Sequence, residues 1–172
     1  MTFPIKTLNA QAATVLRETC ALRGAFGAGI LLVCPHKQSI LLGKRAGMCP
    51  EPNTWAPFGG TSELDEHPFQ TATREHAEES GITIQPHDLT LLYATNRNGR
   101  FPFFTFLATI NHEIEPHLDL SETQSYGWFR AENMPKPLHP GFQELVNSAQ
   151  WGDVMKILQH ADQNQFHQWS GE

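Results

Sequence analysis

Residues 74–81 read Arg-Glu-His-Ala-Glu-Glu-Ser-Gly, and three of them are carboxylates at helical spacing. On a helix, Glu75, Glu78 and Glu79 stand at i, i+3 and i+4 and crowd one face. Like charges so placed repel and cost stability unless something neutralises them. A hard divalent cation does this, since magnesium takes carboxylate oxygens at about 2.0–2.1 Å and keeps several waters. Arg74 lies four residues before Glu78, where it can pair with Glu78 or with Glu66 and orient the cluster. A solvated acidic helix face is the other meaning of such a run. The three glutamates alone leave the two readings level.

Upstream, Gly59-Gly60-Thr-Ser-Glu-Leu-Asp-Glu66 sets two glycines ahead of the acidic helix. Glycines there permit a tight turn, and a backbone carbonyl can complete a metal shell. Together the two stretches resemble the signature of the Nudix family: Gly, five residues, Glu, seven residues, then Arg-Glu-apolar-any-Glu-Glu-any-Gly-apolar. Gly60, Glu66, Arg74, Glu75, Glu78, Glu79, Gly81 and Ile82 fall at the required spacing. Chance agreement at the seven invariant positions is roughly one in a million at average residue frequencies, which decides against the bland acidic face. The resemblance continues through Leu41-Leu-Gly-Lys-Arg45, Trp55 and Tyr126-Gly-Trp-Phe129, and takes in about residues 25–135.

Three positions depart from the family pattern. His76 stands where an apolar residue is usual, and is expected to face the core as a neutral, hydrogen-bonded ring. Phe58 separates Pro57 from the glycines. His67 occupies the helix cap position in place of Ser or Thr, a weaker cap. None of these removes a carboxylate.

The resemblance implies an α/β fold: a Nudix-like α/β/α sandwich with a mixed β-sheet. It implies hydrolysis of a phosphoanhydride bond in a nucleoside diphosphate derivative, with Mg2+ as cofactor and Mn2+ as the alternative. Glu75, Glu78, Glu79 and the Gly59 carbonyl are the implied metal ligands. Gly60, Glu66 and Gly81 are structural, and Arg74, Glu78 and Glu79 belong to the catalytic set. Some Nudix enzymes take a further acid from the loop before a late Trp-containing strand, and Glu122, six residues before Trp128, is the candidate ligand or general base. For the substrate, Arg45 follows a buried strand and is a candidate phosphate contact. Trp55, Phe58, Tyr93 and Phe103 are candidates for stacking on a base, and Arg97 and Arg100 flank a turn that could reach it. The preferred substrate is a nucleoside triphosphate cut to the monophosphate. Dinucleoside polyphosphates, nucleotide sugars and a nucleotide-sensing module that cuts nothing are the alternatives.

The elements that must position this chemistry follow from pattern. Asn9 caps a helix over about residues 10–22, with Gly24 past its end. Gly27–Cys34 is apolar throughout, as in a strand covered on both faces. Pro35–Gln38 turn into a second strand, Ser39–Arg45. Residues 46–67 carry Pro50, Pro52, Pro57, Gly59 and Gly60 and read as a long ordered loop. Pro68 opens a helix that ends at Gly81. Thr90–Thr95 and Phe101–Ile110 form a hairpin around Asn98-Gly99, and Tyr126–Arg130 is a short strand. Residues 140–148 and 153–165 are helical, the last with Val154, Ile157, Leu158 and Ala161 on one face, which packs on the domain or on a second subunit, a homodimer.

Composition bounds the rest. The 172 residues suit one domain, with the 10–22 helix and a helical extension over about 151–166 as its ends. A net charge of -6 offers no basic stripe for a nucleic-acid polymer, so the expected partner is a small-molecule nucleotide. No apolar run is long enough for a membrane span. Cys20, Cys34 and Cys49 form no CxxC pair and leave an odd count, which suits free thiols in the cytoplasm.

Overall fold

The computed structural model describes residues 6–22, 25–95 and 101–165, with side chains described outside 19–22 and 161–165. The strands are β1 (Lys6–Thr7), β2 (Gly27–Cys34), β3 (Ser39–Arg45), β4 (Trp55–Ala56), β5 (Phe58–Thr61), β6 (Thr90–Thr95), β7 (Phe103–Thr109) and β8 (Thr123–Arg130). The helices are α1 (Ala10–Leu22), α2 (Pro68–Ser80), α3 (Pro140–Val146) and α4 (Trp151–Gln165). All eight strands join one mixed sheet in the order β1-β6-β7-β2-β3-β4, with β5 on β2 and β8 on β3. The β2–β7 and β1–β6 pairs are parallel, and the others are antiparallel.

β2 is the centre of the molecule because every residue in it is apolar or small and every one is buried. Ile30, Leu31, Leu32 and Val33 have no exposed surface, and each contributes about 1.5–3 kcal/mol by leaving water. Their alternation supplies both faces. Ala28, Ile30 and Leu32 pack with Ala12 and Leu16 of α1 and Ala72 of α2. Leu31 and Val33 pack with Phe142 and Leu145 of α3 and Val154 and Leu158 of α4. The result is the expected α/β/α sandwich. The apolar stripe of α4 is thus spent within the chain, where Val154 and Leu158 are core residues.

Local signals account for the helix ends. Asn9 Oδ1 accepts from the N–H groups of Gln11 and Ala12 at 3.0 and 3.3 Å, the expected cap of α1. α2 has Pro68 at its first turn and Gly81 at its end with φ of 70°, a left-handed conformation that favours glycine. His67 does not leave the start of α2 bare, because its N–H donates to Gln70 Oε1 at 2.8 Å, one half of a capping box.

The expectation of a long ordered loop over 46–67 is corrected in part, because Trp55–Ala56 and Phe58–Thr61 are strands. β7 covers one edge of β2 from Gly27 to Val33. The other edge is shared, with β5 pairing at Gly27–Ile30 and β3 at Val33–Cys34. β4 pairs with β3, so the chain steps from β3 to β2 across Pro57. Backbone pairing to two different strands is the physical reason these residues are ordered. Elsewhere β8 begins at Thr123, three residues before the expected start, and α4 begins at Trp151, two before. The Asn96–Arg100 turn and Gly24 lie outside the described residues. No helix among the described residues is long and apolar enough to cross a membrane.

Candidate active site

The helix α2 presents its carboxylates in a gradient of exposure. Pro68, Ala72 and His76 face the sheet, and Glu79 joins them at 6% exposed. The Glu75 side chain is 13% exposed and that of Glu78 is 59%. Glu79 therefore points inward, Glu75 lies along the edge, and Glu78 reaches solvent. A Cβ added to Gly60 would sit 2.5 Å from the Glu75 carboxyl carbon, so only glycine lets that carboxylate lie on the backbone of β5.

Arg74 is the hub. Its Nε and one terminal nitrogen donate to the two oxygens of Glu66 at 2.7 and 2.9 Å, a bidentate pair of the strong kind. The other terminal nitrogen donates to Glu75 at 2.9 Å and Glu78 at 3.0 Å. A fifth bond reaches the Thr61 carbonyl at 3.0 Å, tying α2 to the end of β5. Glu66 also accepts from the Glu63 N–H and the Thr71 hydroxyl. The Arg74 guanidinium, helped by these donors, holds the Glu66 carboxyl down to about 2. Glu66 in turn raises the Arg74 pKa.

Glu79 Oε2 accepts from the Gly59 N–H at 3.0 Å. Burial is the largest cause pushing its carboxyl up to about 8, and the Gly59 bond opposes it. A hydrogen bond with Glu122 and the charges of Glu122 and Glu75 push it further up. Burial also raises Glu75, against the pull of Arg74. Glu122 is delivered by a docked turn rather than a solvated loop. The N–H groups of His117 and Asp119 bond to the Ser80 and Glu79 carbonyls at 2.8 and 3.1 Å. Asp119 Oδ1 caps the turn through the N–H and hydroxyl of Ser121. The Glu122 carbonyl accepts from the Ala46 N–H at 2.8 Å.

Among the described residues, no three His, Cys, Asp or Glu side chains converge closely enough to grip a metal ion as they stand. Glu75 and Glu78 are turned to Arg74, and Glu79 to Gly59. The donor set still fits a divalent cation. It is all hard oxygen, and Glu75 and Glu79 are made unfavourable as anions by burial and by their acidic neighbours, a cost a cation reverses.

Beside Gly59 and Gly60 opens a cavity of about 290 Å³. Arg45, Phe103 and Phe101 line it, with Thr95, Thr105, His139 and Phe142. Phe103 and Thr105 alternate along β7 with Phe104 and Phe106, which belong to the core under α1 and α2. The cavity therefore lies on the α3 side of the sheet, and α2 brings its carboxylates from the other. The two meet at Gly59–Gly60.

The sequence candidates separate accordingly. Arg45 lines the cavity, with its Nε donating to the Pro50 carbonyl at 2.9 Å. Phe58 does not: it is 2% exposed in the core, edge-on to His76 with ring centres 5.6 Å apart. Burial thus removes Phe58 as a stacking surface. Trp55 packs edge-on against Phe129 at 5.1 Å, and its backbone bonds to Pro137 and His139, so it holds the cavity wall from outside the lining. Tyr93 is also outside the lining, packed against the α3 and α4 core. Burial and the charge of Glu144 raise its hydroxyl pKa. Arg97 and Arg100 lie outside the described residues. His76 is fully buried as expected, but its two ring nitrogens have no hydrogen-bond partner among the described residues. Its ring packs against Phe58, and burial drives its pKa down to about 4. Thr95, Thr105 and His139 had no motif to mark them, since only the pairing of β6 with β7 and the placing of α3 bring them together.

A NUDIX domain family model matches residues 25–149. The chain is 28% identical over 153 residues to the m7GpppN-mRNA hydrolase NUDT17 of Danio rerio, covering 88% of this chain and 49% of that protein. It is 31% identical over 130 residues to a Mycobacterium tuberculosis protein carrying the name 8-oxo-dGTP diphosphatase 3, covering 69% of this chain and 59% of the relative. The chain thus spans between half and three-fifths of the length of these relatives. A solved MutT NUDIX hydrolase from Burkholderia pseudomallei matches with a TM-score of 0.61 at 27% identity, covering 73% of this chain and 98% of that one.

Proposed function

Because the chain belongs to the Nudix family, we propose that it is a magnesium-dependent pyrophosphohydrolase that cuts a nucleoside triphosphate to the monophosphate. The observation that carries the reading is Glu79, a buried carboxyl bonded to the Gly59 N–H and flanked by Glu122 and Glu75. It sits where the carboxylate helix meets a cavity able to hold a base. The relatives named for mRNA-cap and 8-oxo-dGTP hydrolysis support the same bond class.

In this reading Glu75, Glu78, Glu79 and the Gly59 carbonyl would hold Mg2+, with Mn2+ as a substitute. When bound, the cation supplies neutralising charge on the phosphates and a more acidic water. Glu122, exposed and adjacent to Glu79, takes the proton of the attacking water. Arg74 keeps Glu75 and Glu78 aligned, and Glu66 keeps Arg74. Arg45, at the cavity mouth, holds a phosphate of the substrate. The flanking helices α1 and α4 pack on the same sheet, so we read residues 1–172 as one domain. Free thiols at Cys34 and Cys49 suit a cytoplasmic enzyme.

The test is phosphate release from a panel of nucleotides with magnesium or with chelator, for wild type and Glu78→Gln. Magnesium-dependent turnover of one nucleotide group, lowered at least a hundredfold by the substitution, is the expected result. Tight nucleotide binding without turnover of any compound would leave a sensing module instead.

A further inference from the structure

β8 falls out of step with β3 at one residue. Lys44 stands opposite Ser125, but Arg45 stands opposite Thr123, so Thr123 and Gln124 together face the single Arg45. This is a β-bulge, a device by which a strand beside a functional site re-aims its side chains. Both neighbours of this bulge belong to the site. Arg45 lines the cavity, and Glu122, whose carboxyl is beside Glu79, comes just before it in the chain.

The bulge leaves the backbone of Arg45 to other partners. Its N–H donates to the Thr54 carbonyl at 2.9 Å, and its carbonyl accepts from the Asn53 N–H at 3.1 Å. The Gln124 amide reaches into the same closure. Its Nε2 donates to the Arg45 carbonyl at 3.0 Å and to Asn53 Oδ1 at 2.8 Å. An amide nitrogen carries two hydrogens, so one serves each end of the loop over residues 46–52.

That loop needs ties from outside. Glu51 and Asn53 have φ of 54° and 60°, left-handed values that strain a residue with a side chain. Such conformations persist where the surrounding bonds over-determine them. The Thr54 hydroxyl donates to the Glu51 carbonyl at 2.7 Å within the loop, and Gln124 adds a tie from the sheet. The loop in turn holds the Arg45 side chain, whose Nε donates to the Pro50 carbonyl at 2.9 Å. A guanidinium fixed at Nε presents its terminal nitrogens in a set direction, which is what a phosphate contact requires. Gln124 is exposed, and an exposed hydrogen bond adds little to stability. Its value lies in aim.

We propose that Gln124 is a positioning residue, whose amide clamps the base of the 46–52 loop to the bulge of β8 and so holds the Arg45 guanidinium at the cavity. Glu122 has anchors of its own, because its turn is bonded to the end of α2 through His117 and Asp119. The proposal rests on the reading of Arg45 as the phosphate contact, and its test has two readouts so that the two can fail separately. Gln124→Met keeps the length and the neutrality of the side chain but removes the amide. The first readout is nitrogen-15 relaxation at Arg45 Nε, without nucleotide or metal. Wild type should give a rigid order parameter of about 0.85, and Gln124→Met one below about 0.6. The melting temperatures should agree within about 3 °C. An unchanged order parameter at Arg45 would overturn the proposal, and so would a loss of rigidity that extends to Arg74.

The second readout is hydrolysis of nucleoside triphosphate with magnesium. Gln124→Met should raise KM about fivefold and leave kcat within about twofold of wild type. In an Arg45→Ala background the same substitution should raise KM no further. An equal rise in that background, or no rise in Gln124→Met where Arg45→Ala raises KM, would overturn the proposal. If Arg45→Ala leaves KM unchanged while Gln124→Met still loosens Nε, the clamp stands and the phosphate role of Arg45 falls. If wild type turns over no triphosphate, the hydrolase reading falls and the relaxation readout alone decides the clamp.

Discussion

The two faces that meet at Gly59–Gly60 are built in opposite ways. On the α2 side, one helix carries Arg74, Glu75, Glu78 and Glu79, and a single hub, Arg74, ties them to Glu66 and Thr61. On the α3 side, the cavity takes Arg45 from β3, Thr95 from β6, Phe103 and Thr105 from β7, and Phe142 from α3. The first face is local in sequence and rich in charge. The second is assembled from distant strands and is nearly neutral. Chemistry that needs several like groups at fixed distances suits one helix. Recognition of one substrate among many suits a surface whose members can change one at a time.

That division can be broken most sharply at Glu79. Glu79→Gln removes a buried carboxyl from the proposed cation ligands, and kcat should fall about a thousandfold, while metal-free nucleotide binding in the cavity changes less than threefold. Equal losses in both assays would mean the faces are not separable. Phe58 tests the boundary between them. Phe58→Ala should cost about 3–5 kcal/mol in urea unfolding, as expected of a core aromatic, whereas a stacking role would appear as a raised KM in the milder Phe58→Leu.

The hub comes next in size. Glu66→Gln should destabilise the fold by on the order of 2–3 kcal/mol at pH 7. The folded carboxyl is held at about 2 from an ordinary 4.5, so its contribution is complete above pH 4.5 and is lost as pH falls toward 2. Melting temperatures of wild type and Glu66→Gln should therefore converge as the pH is lowered through that window. A constant gap down to pH 3 would rule out this ion-pair account. The smallest effect is at His76, whose buried ring has no hydrogen-bond partner among the described residues. His76→Leu should raise stability by about 1 kcal/mol, read as a higher urea midpoint, and a lower midpoint would show that the ring is paired.

These two faces also explain what the sequence disclosed. Helical spacing makes Glu75, Glu78 and Glu79 neighbours whatever else the fold does, so the carboxylate face was legible before any tertiary contact was known. The Glu66–Arg74 pair followed from the same short stretch. Glu122 was legible only as a position before Trp128, and its docking beside Glu79 depends on backbone bonds from His117 and Asp119 to the end of α2. The cavity was legible in part, since Arg45 and Phe103 line it. Phe58 and Tyr93 offered the right rings, but strand alternation and the bulge between Leu91 and Tyr93 send them to packing positions. The strands within 46–67 were not legible because β4 and β5 are too short to show a period, and they form by pairing to β3 and β2.

Glu79, whose carboxyl is pushed up by burial and by its acidic neighbours, is the residue whose proposed role as a cation ligand carries the functional reading. Manganese titration followed by electron paramagnetic resonance, on wild type and Glu79→Gln without nucleotide, tests it most directly. Wild type should show a bound-manganese signal whose affinity weakens at least tenfold in the variant. Identical manganese binding by the two proteins would contradict it.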